Sequence, residues 1–136
     1  GQGAWTQSGD SPPQRARVSA QDHLADGLYL TSEVATFHQE GLCEIHRQLE
    51  SAAWYTRTWG DCYGYYLVAT GRAIAMVAAT LKIWDAAALQ PIMLESGGTF
   101  TDWSGRESID PGRAVATNGR VLAEVLAITR VATRET

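Results

Sequence analysis

Two aspartates stand where predicted helices begin, and they are the residues of this sequence best suited to chemistry. Asp85 precedes an alanine-rich run, and Asp61 precedes Cys62 and a tyrosine-rich run. A carboxylate at a helix start can accept hydrogen bonds from free first-turn N–H groups, or it can face outward and hold a cation. On residue type alone the cap is favoured, because Asp is among the preferred N-caps. What the chain can do depends on which role Asp85 has.

The histidines offer weaker candidates. His23, His38 and His46 are scattered through polar surroundings, and no cluster of cysteines or carboxylates accompanies them. A structural or catalytic metal site brings several such ligands together. We therefore expect three surface histidines that hold no metal.

The two cysteines, Cys43 and Cys62, fit no zinc-binding spacing. A chain of this length does not need a disulfide to stay folded, so we expect reduced intracellular thiols and a cytoplasmic protein. Cys62 lies just inside a predicted helix start, where a thiol pKa can be lowered, but its apolar neighbours favour an inert buried thiol. No nucleophile motif with a matching base and no phosphate-binding glycine loop is present in the sequence.

The helix that follows Asp85 has one predicted buried face and a defined stop. Gly97-Gly98 provides the positive φ that ends a helix, and Pro91 should bend the helix axis because it leaves one carbonyl without a partner. Apolar residues at helical spacing predict the buried face, which comprises Ala88, Leu89, Ile92 and Met93.

Strands alternate with helices along the rest of the chain. Further helices are predicted at 20–25, 33–53, 61–71 and 121–129, and strands at 1–5, 15–19, 27–32, 54–59, 73–77, 99–102 and 114–117. The predicted core of the second of these helices comprises Phe37, Leu42, Ile45 and Leu49, and that of the last comprises Leu122, Val125, Leu126 and Thr129. This order predicts an α/β layered sandwich, with a mainly parallel or mixed sheet and helices on both faces.

Composition restricts the class of protein further. With 136 residues, 45% of them hydrophobic and 19% charged, the chain can bury a core and is neither disordered nor a membrane protein. A formal net charge of −4 disfavours nucleic acid and anionic membranes as partners. The chain also opens with Gly1-Gln2-Gly3-Ala4, without an initiator Met, so it reads as the middle of a longer protein.

Four ordered motifs give the sequence a specific resemblance that covers nearly its whole length. They are Trp59-Gly60-Asp61-Cys62-Tyr63-Gly64-Tyr65, Val68-Ala69-Thr70-Gly71-Arg72-Ala73, Trp84-Asp85-Ala86-Ala87 with Glu95-Ser96-Gly97-Gly98-Thr99-Phe100-Thr101-Asp102, and Ala116-Thr117-Asn118-Gly119. Together they resemble the inositol monophosphatase family, and the first motif is most similar to its histidinol-phosphatase branch.

The resemblance implies a Mg²⁺-dependent phosphomonoesterase that acts on a phosphorylated small molecule. In such an enzyme several carboxylates hold the metal, and a metal-activated water attacks phosphorus. The Asp of the Trp-Asp-x-Ala motif is one of these metal ligands and corresponds to Asp85. The same resemblance places Gly60, Asp61, Cys62 and Trp84 near the substrate.

Two departures from the family pattern matter. The other metal-binding carboxylates of the family, a Glu and an Asp-Pro-x-Asp-Gly-Thr segment, lie in its N-terminal half and are missing from these 136 residues. One carboxylate cannot hold several cations or position a water in line with the leaving group. In addition, Ala78-Ala79 stands where the histidinol-phosphatase branch usually has Asp-Pro and the inositol branch has a Glu.

These observations predict the C-terminal half of a phosphatase of this family, inactive as an isolated chain and poorly able to hold Mg²⁺ alone. Residues 1–26 would be remnant strands and a loop leading from a missing N-terminal half, and residues 27–136 the C-terminal α/β domain. The alternative is a stand-alone, non-catalytic domain that oligomerises through the face the missing half would cover.

Overall fold

In a computed structural model, which describes residues 1–133, a five-stranded sheet carries helices on both faces. The predicted α/β layered architecture is confirmed. The elements in chain order are β1 (Trp5–Thr6), β2 (Gln14–Arg15), β3 (Leu28–Thr31), α1 (Val34–Gln39), α2 (Cys43–Ala52), β4 (Tyr55–Thr58), α3 (Cys62–Ala69), β5 (Ala75–Leu81), α4 (Ile83–Glu95), β6 (Thr99–Asp102), β7 (Gly112–Thr117) and α5 (Leu122–Thr129). Short 3₁₀ helices span Leu24–Asp26 and Arg130–Thr133.

The main sheet is mixed, with the strand order β4-β3-β5-β7-β6. The first three of these strands run parallel to one another, whereas β7 pairs antiparallel with both β5 and β6. The parallel half brings the carboxyl ends of β3, β4 and β5 to one edge of the sheet. Strands β1 and β2 form a separate antiparallel pair.

Strand β5 lies at the centre of the sheet and is buried on both faces. Ala75, Val77 and Ala79 point into one apolar cluster, while Met76 and Ala78 point into the other. A strand covered on both sides needs a continuous apolar run, since successive side chains point to opposite faces. This explains why the sequence here does not alternate between apolar and polar residues.

The two apolar clusters separate the helices into two layers. Helices α1, α2 and α5 contribute to the cluster on one face, and α3 and α4 to the cluster on the other. Gly64 lets α3 approach β5 closely, because a Cβ at this position would lie 2.6 Å from Sδ of Met76. The glycine of the Trp-Gly-Asp-Cys-Tyr-Gly-Tyr motif therefore has a packing role.

The single helix predicted over 33–53 is wrong, because two helices, α1 and α2, occupy that range. Between them Gly41 adopts a φ of 70°, which a side chain would disfavour. The predicted core residues are confirmed as buried, namely Phe37, Leu42, Ile45 and Leu49.

Helix α4 begins at Ile83, two residues before Asp85, and runs through Pro91 to Glu95, where Gly97 follows with a φ of 88°. Its buried residues are Ala86, Leu89 and Met93, so the predicted burial of Ala88 and Ile92 is wrong. The helix is apolar on nearly every side, and periodicity alone cannot select which face packs on the sheet. The bend at Pro91 stays a prediction.

His46 corrects a second expectation, because it is buried rather than on the surface. It lies on α2, and its ring contacts the rings of Tyr29 and Phe37. His23 and His38 are exposed, as predicted. His46 is buried because it lies with Ile45 and Leu49 on the buried side of α2.

The bounds of several other elements also differ from the predictions. The helix expected at 20–25 is only the 3₁₀ turn Leu24–Asp26, and β5 is longer and starts later than the strand expected at 73–77. Helix α5 confirms the helix expected at 121–129, although Leu122 is only partly buried. Residues 134–136 of the predicted second domain lie outside the described residues, and the boundary at 26/27 stays a prediction. None of the helices within 1–133 is both long and apolar enough to cross a lipid bilayer.

Candidate functional site

A cavity of about 270 Å³ lies at the carboxyl ends of the three parallel strands. Ser32-Glu33 follows β3, Asp61-Cys62 follows β4, and Lys82 follows β5, and all of them line this cavity. In open α/β sheets, ligands bind outside the carboxyl ends of the strands, where loops and helix starts converge. We call this space the strand-end cavity.

Asp85 lies in the first turn of α4 and faces the strand-end cavity. The N-cap position belongs to Lys82, no side-chain cap hydrogen bond forms, and the backbone N–H of Asp85 donates to the Lys82 carbonyl at 3.1 Å. Within residues 1–133 the carboxylate has no hydrogen bond or ion pair. The cap interpretation of Asp85 is therefore wrong, and the half-buried carboxylate is available to a ligand.

Asp61 does occupy the N-cap position of α3, but its side chain makes no cap hydrogen bond. It also lines the strand-end cavity, so two acidic side chains reach this space from the starts of two helices that pack against each other. A helix N-terminus carries partial positive charge, which favours nearby carboxylates or other anions.

The Cys62 thiol is exposed and lines the same cavity, so the expectation of a buried thiol is wrong. Cys62 is the first residue of α3, and Gly60, Asp61 and Tyr63 around it are exposed as well. The first buried residue of α3 is Gly64, two positions after Cys62. Both cysteines are free, in agreement with the prediction of reduced thiols.

Trp84 is separated from this group. Its side chain is 72% exposed and lines a neighbouring surface cavity of about 390 Å³ together with Lys82 and Asp110. The structure thus brings Asp61, Cys62 and Asp85 together, whereas Gly60 and Trp84 are not among the residues that line the strand-end cavity.

Sequence reasoning missed further charged or polar side chains of the cavity, among them Glu33, Lys82 and Tyr65. Glu33 accepts a hydrogen bond from the Thr36 hydroxyl at 3.3 Å, and Lys82 is the one basic residue among the described lining residues. Glu33 and Lys82 each follow a strand that runs parallel to β4. Knowledge of the strand directions would have found both, since carboxyl ends of parallel strands share an edge.

Tyr65 lies on the inner side of α3 and is only 1% exposed. Burial raises the pKa of its hydroxyl, and electrostatic interaction with the nearby side chains of Cys62, Asp85 and Asp61 raises the pKa further. The hydroxyl therefore keeps its proton at neutral pH. It has no hydrogen-bond partner among residues 1–133.

The carboxylates of the strand-end cavity are the residues that could hold a metal ion. Mg²⁺ prefers oxygen ligands, and Glu33, Asp61 and Asp85 supply carboxylates to one cavity. However, no group of three or more His, Cys, Asp or Glu side chains in the described part of the chain is arranged to hold a metal. These residues therefore do not form a complete magnesium site, although Asp85 fits the role of one ligand.

The fold and site define a protein class that comparison with known proteins identifies. The model of the inositol monophosphatase family matches residues 1–135, so the chain belongs to the inositol monophosphatase family. It is 34% identical over 124 residues to the histidinol-phosphatase of Streptomyces coelicolor and 33% identical over 126 residues to that of Mycobacterium tuberculosis.

These alignments cover 91% and 93% of this chain but only 47% and 48% of the two relatives, in their C-terminal half. The chain thus spans about half the length of the curated relatives that it matches. Solved structures give the same proportion. An IMPase of Thermotoga maritima matches with a TM-score of 0.77 and 26% identity, covering 90% of this chain and 47% of the other. The SuhB protein of Bartonella henselae matches with 0.77 and 26%, covering 93% and 51%.

Proposed function

We propose that this chain is the C-terminal half of a Mg²⁺-dependent phosphomonoesterase and that it has no useful activity in isolation. The observation that carries the proposal is the Asp85 carboxylate, which faces the strand-end cavity and has no partner in the described part of the chain. Because the described residues offer no complete metal site, the remaining ligands would come from a separate half.

The residues of this chain would bind and orient the ligands in the cavity. Asp85 would be one ligand of the cation, while Asp61 and the backbone N–H groups at the start of α3 would contact the substrate. When bound, Mg²⁺ would neutralise phosphate charge and activate a water.

The substrate is proposed to be a phosphorylated small molecule, bound with a weakened or changed preference among the substrates of the family. Ala78 and Ala79 are buried in β5, at the place where the resemblance predicts an acidic residue. Without that carboxylate, a charge-assisted hydrogen bond to a hydroxyl or amine is lost, which costs about 1.5–3 kcal/mol of binding. We propose a cytoplasmic protein for which neither nucleic acid nor a membrane is the partner.

The outer face of α4 supports the proposal that something larger covers this domain. The face is apolar and exposed, and it comprises Ile83, Trp84, Ala87, Ala88, Pro91, Ile92 and Leu94. A helix that is apolar on all sides is normally buried on all sides. The relatives contain a segment that could cover this face of α4, namely the half that this chain does not match.

The same face also favours the alternative candidate, a non-catalytic domain that self-associates. A contiguous exposed apolar patch is a frequent protein interaction site. Under this alternative a second copy, and no phosphatase half, would cover α4. Sedimentation of the purified chain would then show a stable dimer that no N-terminal half displaces.

Complementation tests the proposed function. The purified chain is mixed with the N-terminal half of the Streptomyces coelicolor relative, and phosphate release from histidinol phosphate and from inositol phosphate is measured with Mg²⁺. We expect no release by the chain alone, release by the mixture, and loss of release in Asp85→Asn. The matched control is Asp10→Asn, which changes an exposed aspartate in the turn between β1 and β2. Release by the chain alone, abolished by Asp85→Asn, would contradict the proposal.

A further inference from the structure

The hydroxyl of Tyr65 is a buried polar group with no hydrogen-bond partner among residues 1–133. Three buried side-chain atoms of the described residues lack a hydrogen-bond partner, on Thr56, Tyr65 and Trp103, and only Tyr65 lines the strand-end cavity. Its ring is fixed by the core, with a tilted contact to Phe100 at 5.9 Å between ring centres. The position of the hydroxyl is therefore set by packing.

The Tyr65 hydroxyl has residues of the strand-end cavity for neighbours. The side chains whose charges act on its hydroxyl are Cys62, Asp61 and Asp85, and all three line the strand-end cavity. Ionised carboxylates accept hydrogen bonds only, while a phenol at neutral pH can donate one. Tyr65 nevertheless donates to neither aspartate. Residues 1–133 thus hold a donor beside the cavity and provide no acceptor for it.

A buried hydroxyl without a partner destabilises a fold, so native proteins usually provide a water or a ligand for it. We propose that the Tyr65 hydroxyl donates a hydrogen bond to a phosphoryl oxygen of the ligand in the strand-end cavity, which makes Tyr65 a binding residue of the site. The identity of the ligand rests on the proposed function, whereas the unpartnered donor does not.

Tyr65→Phe removes only the hydroxyl and keeps the ring, so it is the matched test. Two controls separate the possible effects. Tyr29→Phe removes a buried hydroxyl that has a partner, since the Tyr29 oxygen lies 3.1 Å from Nδ1 of His46. Tyr63→Phe removes an exposed hydroxyl from the same helix.

The first measurement is urea denaturation of the 136-residue chain without ligand. We expect the midpoint of Tyr65→Phe to be equal to or higher than that of the unaltered chain, because the lost hydroxyl had no partner. Tyr29→Phe should lower the midpoint. A decrease in Tyr65→Phe as large as that in Tyr29→Phe would overturn the inference, since the Tyr65 hydroxyl would then already be hydrogen-bonded, for example to a bound water.

The second measurement is the ³¹P NMR line width of inorganic phosphate with saturating Mg²⁺ and the same chain, which detects weak binding. We expect broadening by the unaltered chain and by Tyr63→Phe, and an affinity about three- to tenfold lower for Tyr65→Phe. Equal broadening by Tyr65→Phe, or no broadening by the unaltered chain, would overturn the inference. Neither measurement needs turnover, so a failed complementation assay would contradict the proposed function alone.

Discussion

The Tyr29 hydroxyl lies 3.1 Å from Nδ1 of His46 in the buried layer between the sheet and helices α1 and α2. The rings of Tyr29 and Phe37 both contact the imidazole, with centres 5.8 Å and 5.1 Å away. This histidine is a core residue held by a hydrogen bond and by aromatic contacts. It lies outside the strand-end cavity.

The His46 environment predicts a loss of stability in mild acid. Burial lowers the pKa of His46, the charge of Glu50 opposes this shift, and that of His38 adds to it. Because the folded state binds a proton less readily than the unfolded state, stability is full above the unfolded pKa of about 6.5 and falls as the pH drops below it. The free energy of unfolding, measured with urea between pH 7.5 and pH 5, should therefore decrease.

His46→Gln keeps a side chain that can bond to Tyr29 but does not titrate. It should flatten this pH dependence. An unchanged slope in the variant would show that other groups cause the loss.

Asp102 is predicted to be structural, although it lies in the motif that resembles the family. Its Oδ1 accepts hydrogen bonds from the Ser104 N–H at 2.8 Å, the Ser104 hydroxyl at 2.6 Å and the Arg106 N–H at 3.0 Å. Asp102→Ala should lower the free energy of unfolding by about 2 kcal/mol, because several buried or half-buried donors lose their acceptor. A change smaller than that of a surface aspartate such as Asp10→Ala would contradict this role.

Asp102 should also contribute to acid unfolding. Burial raises its pKa, but the hydrogen bonds from Ser104 and Arg106 outweigh this effect and hold the pKa below its usual value. The contribution of Asp102 is therefore present above about pH 4 and is lost as the pH falls through the lower folded pKa. Asp102→Asn should make the acid limb of the stability curve shallower.

Both thiols should react quickly with a disulfide reagent such as DTNB in the folded chain, because Cys43 and Cys62 are exposed. Cys62→Ser should remove one of the two equivalents without a change in fold. In the complemented enzyme, Mg²⁺ with phosphate should slow the reaction of Cys62 but not that of Cys43, since only Cys62 lines the strand-end cavity. A Cys62 thiol that reacts only after denaturation would show that it is buried.

The outer face of α4 predicts self-association that one charge can abolish. Ile92 is 44% exposed and lies within this apolar face, so Ile92→Asp should reduce concentration-dependent sedimentation with little change in stability. Trp54→Ser is the matched control. Trp54 is also an exposed aromatic residue, but it precedes the edge strand β4 and does not belong to α4. Equal sedimentation of Ile92→Asp and the unaltered chain would exclude this face.

The layered fold could be predicted because each strand and helix carries its own local pattern. The break at Gly41 was missed since the charged and apolar residues of α1 and α2 continue one helical pattern across it. The buried face of α4 was misjudged for the opposite reason, because apolar residues surround that helix completely. Which side packs on the sheet is decided by contacts with α3 and β6, which no local window contains.

The site was predictable only in part, because some of its residues are brought together by contacts between distant parts of the sequence. Asp61, Cys62 and Asp85 belong to motifs and could be named from the sequence. Glu33 belongs to no motif, and the motif that contains Tyr65 does not show that this side chain reaches the site. Only the parallel pairing of β3 with β4 and β5 brings the residues that follow these strands to one cavity. The exposure of Cys62 also depends on this arrangement, because the buried residues of α3 begin only at Gly64.

The affinity for Mn²⁺, followed by electron paramagnetic resonance as a stand-in for Mg²⁺, tests the role of Asp85 most directly. The chain is first mixed with the N-terminal half of the Streptomyces coelicolor relative. Asp85→Asn should weaken Mn²⁺ binding to this mixture at least about tenfold. The free energy of unfolding of the chain itself should change by less than about 1 kcal/mol, because the carboxylate caps no helix. Mn²⁺ binding that is equal in the unaltered chain and in Asp85→Asn would contradict a cation-binding role for this carboxylate.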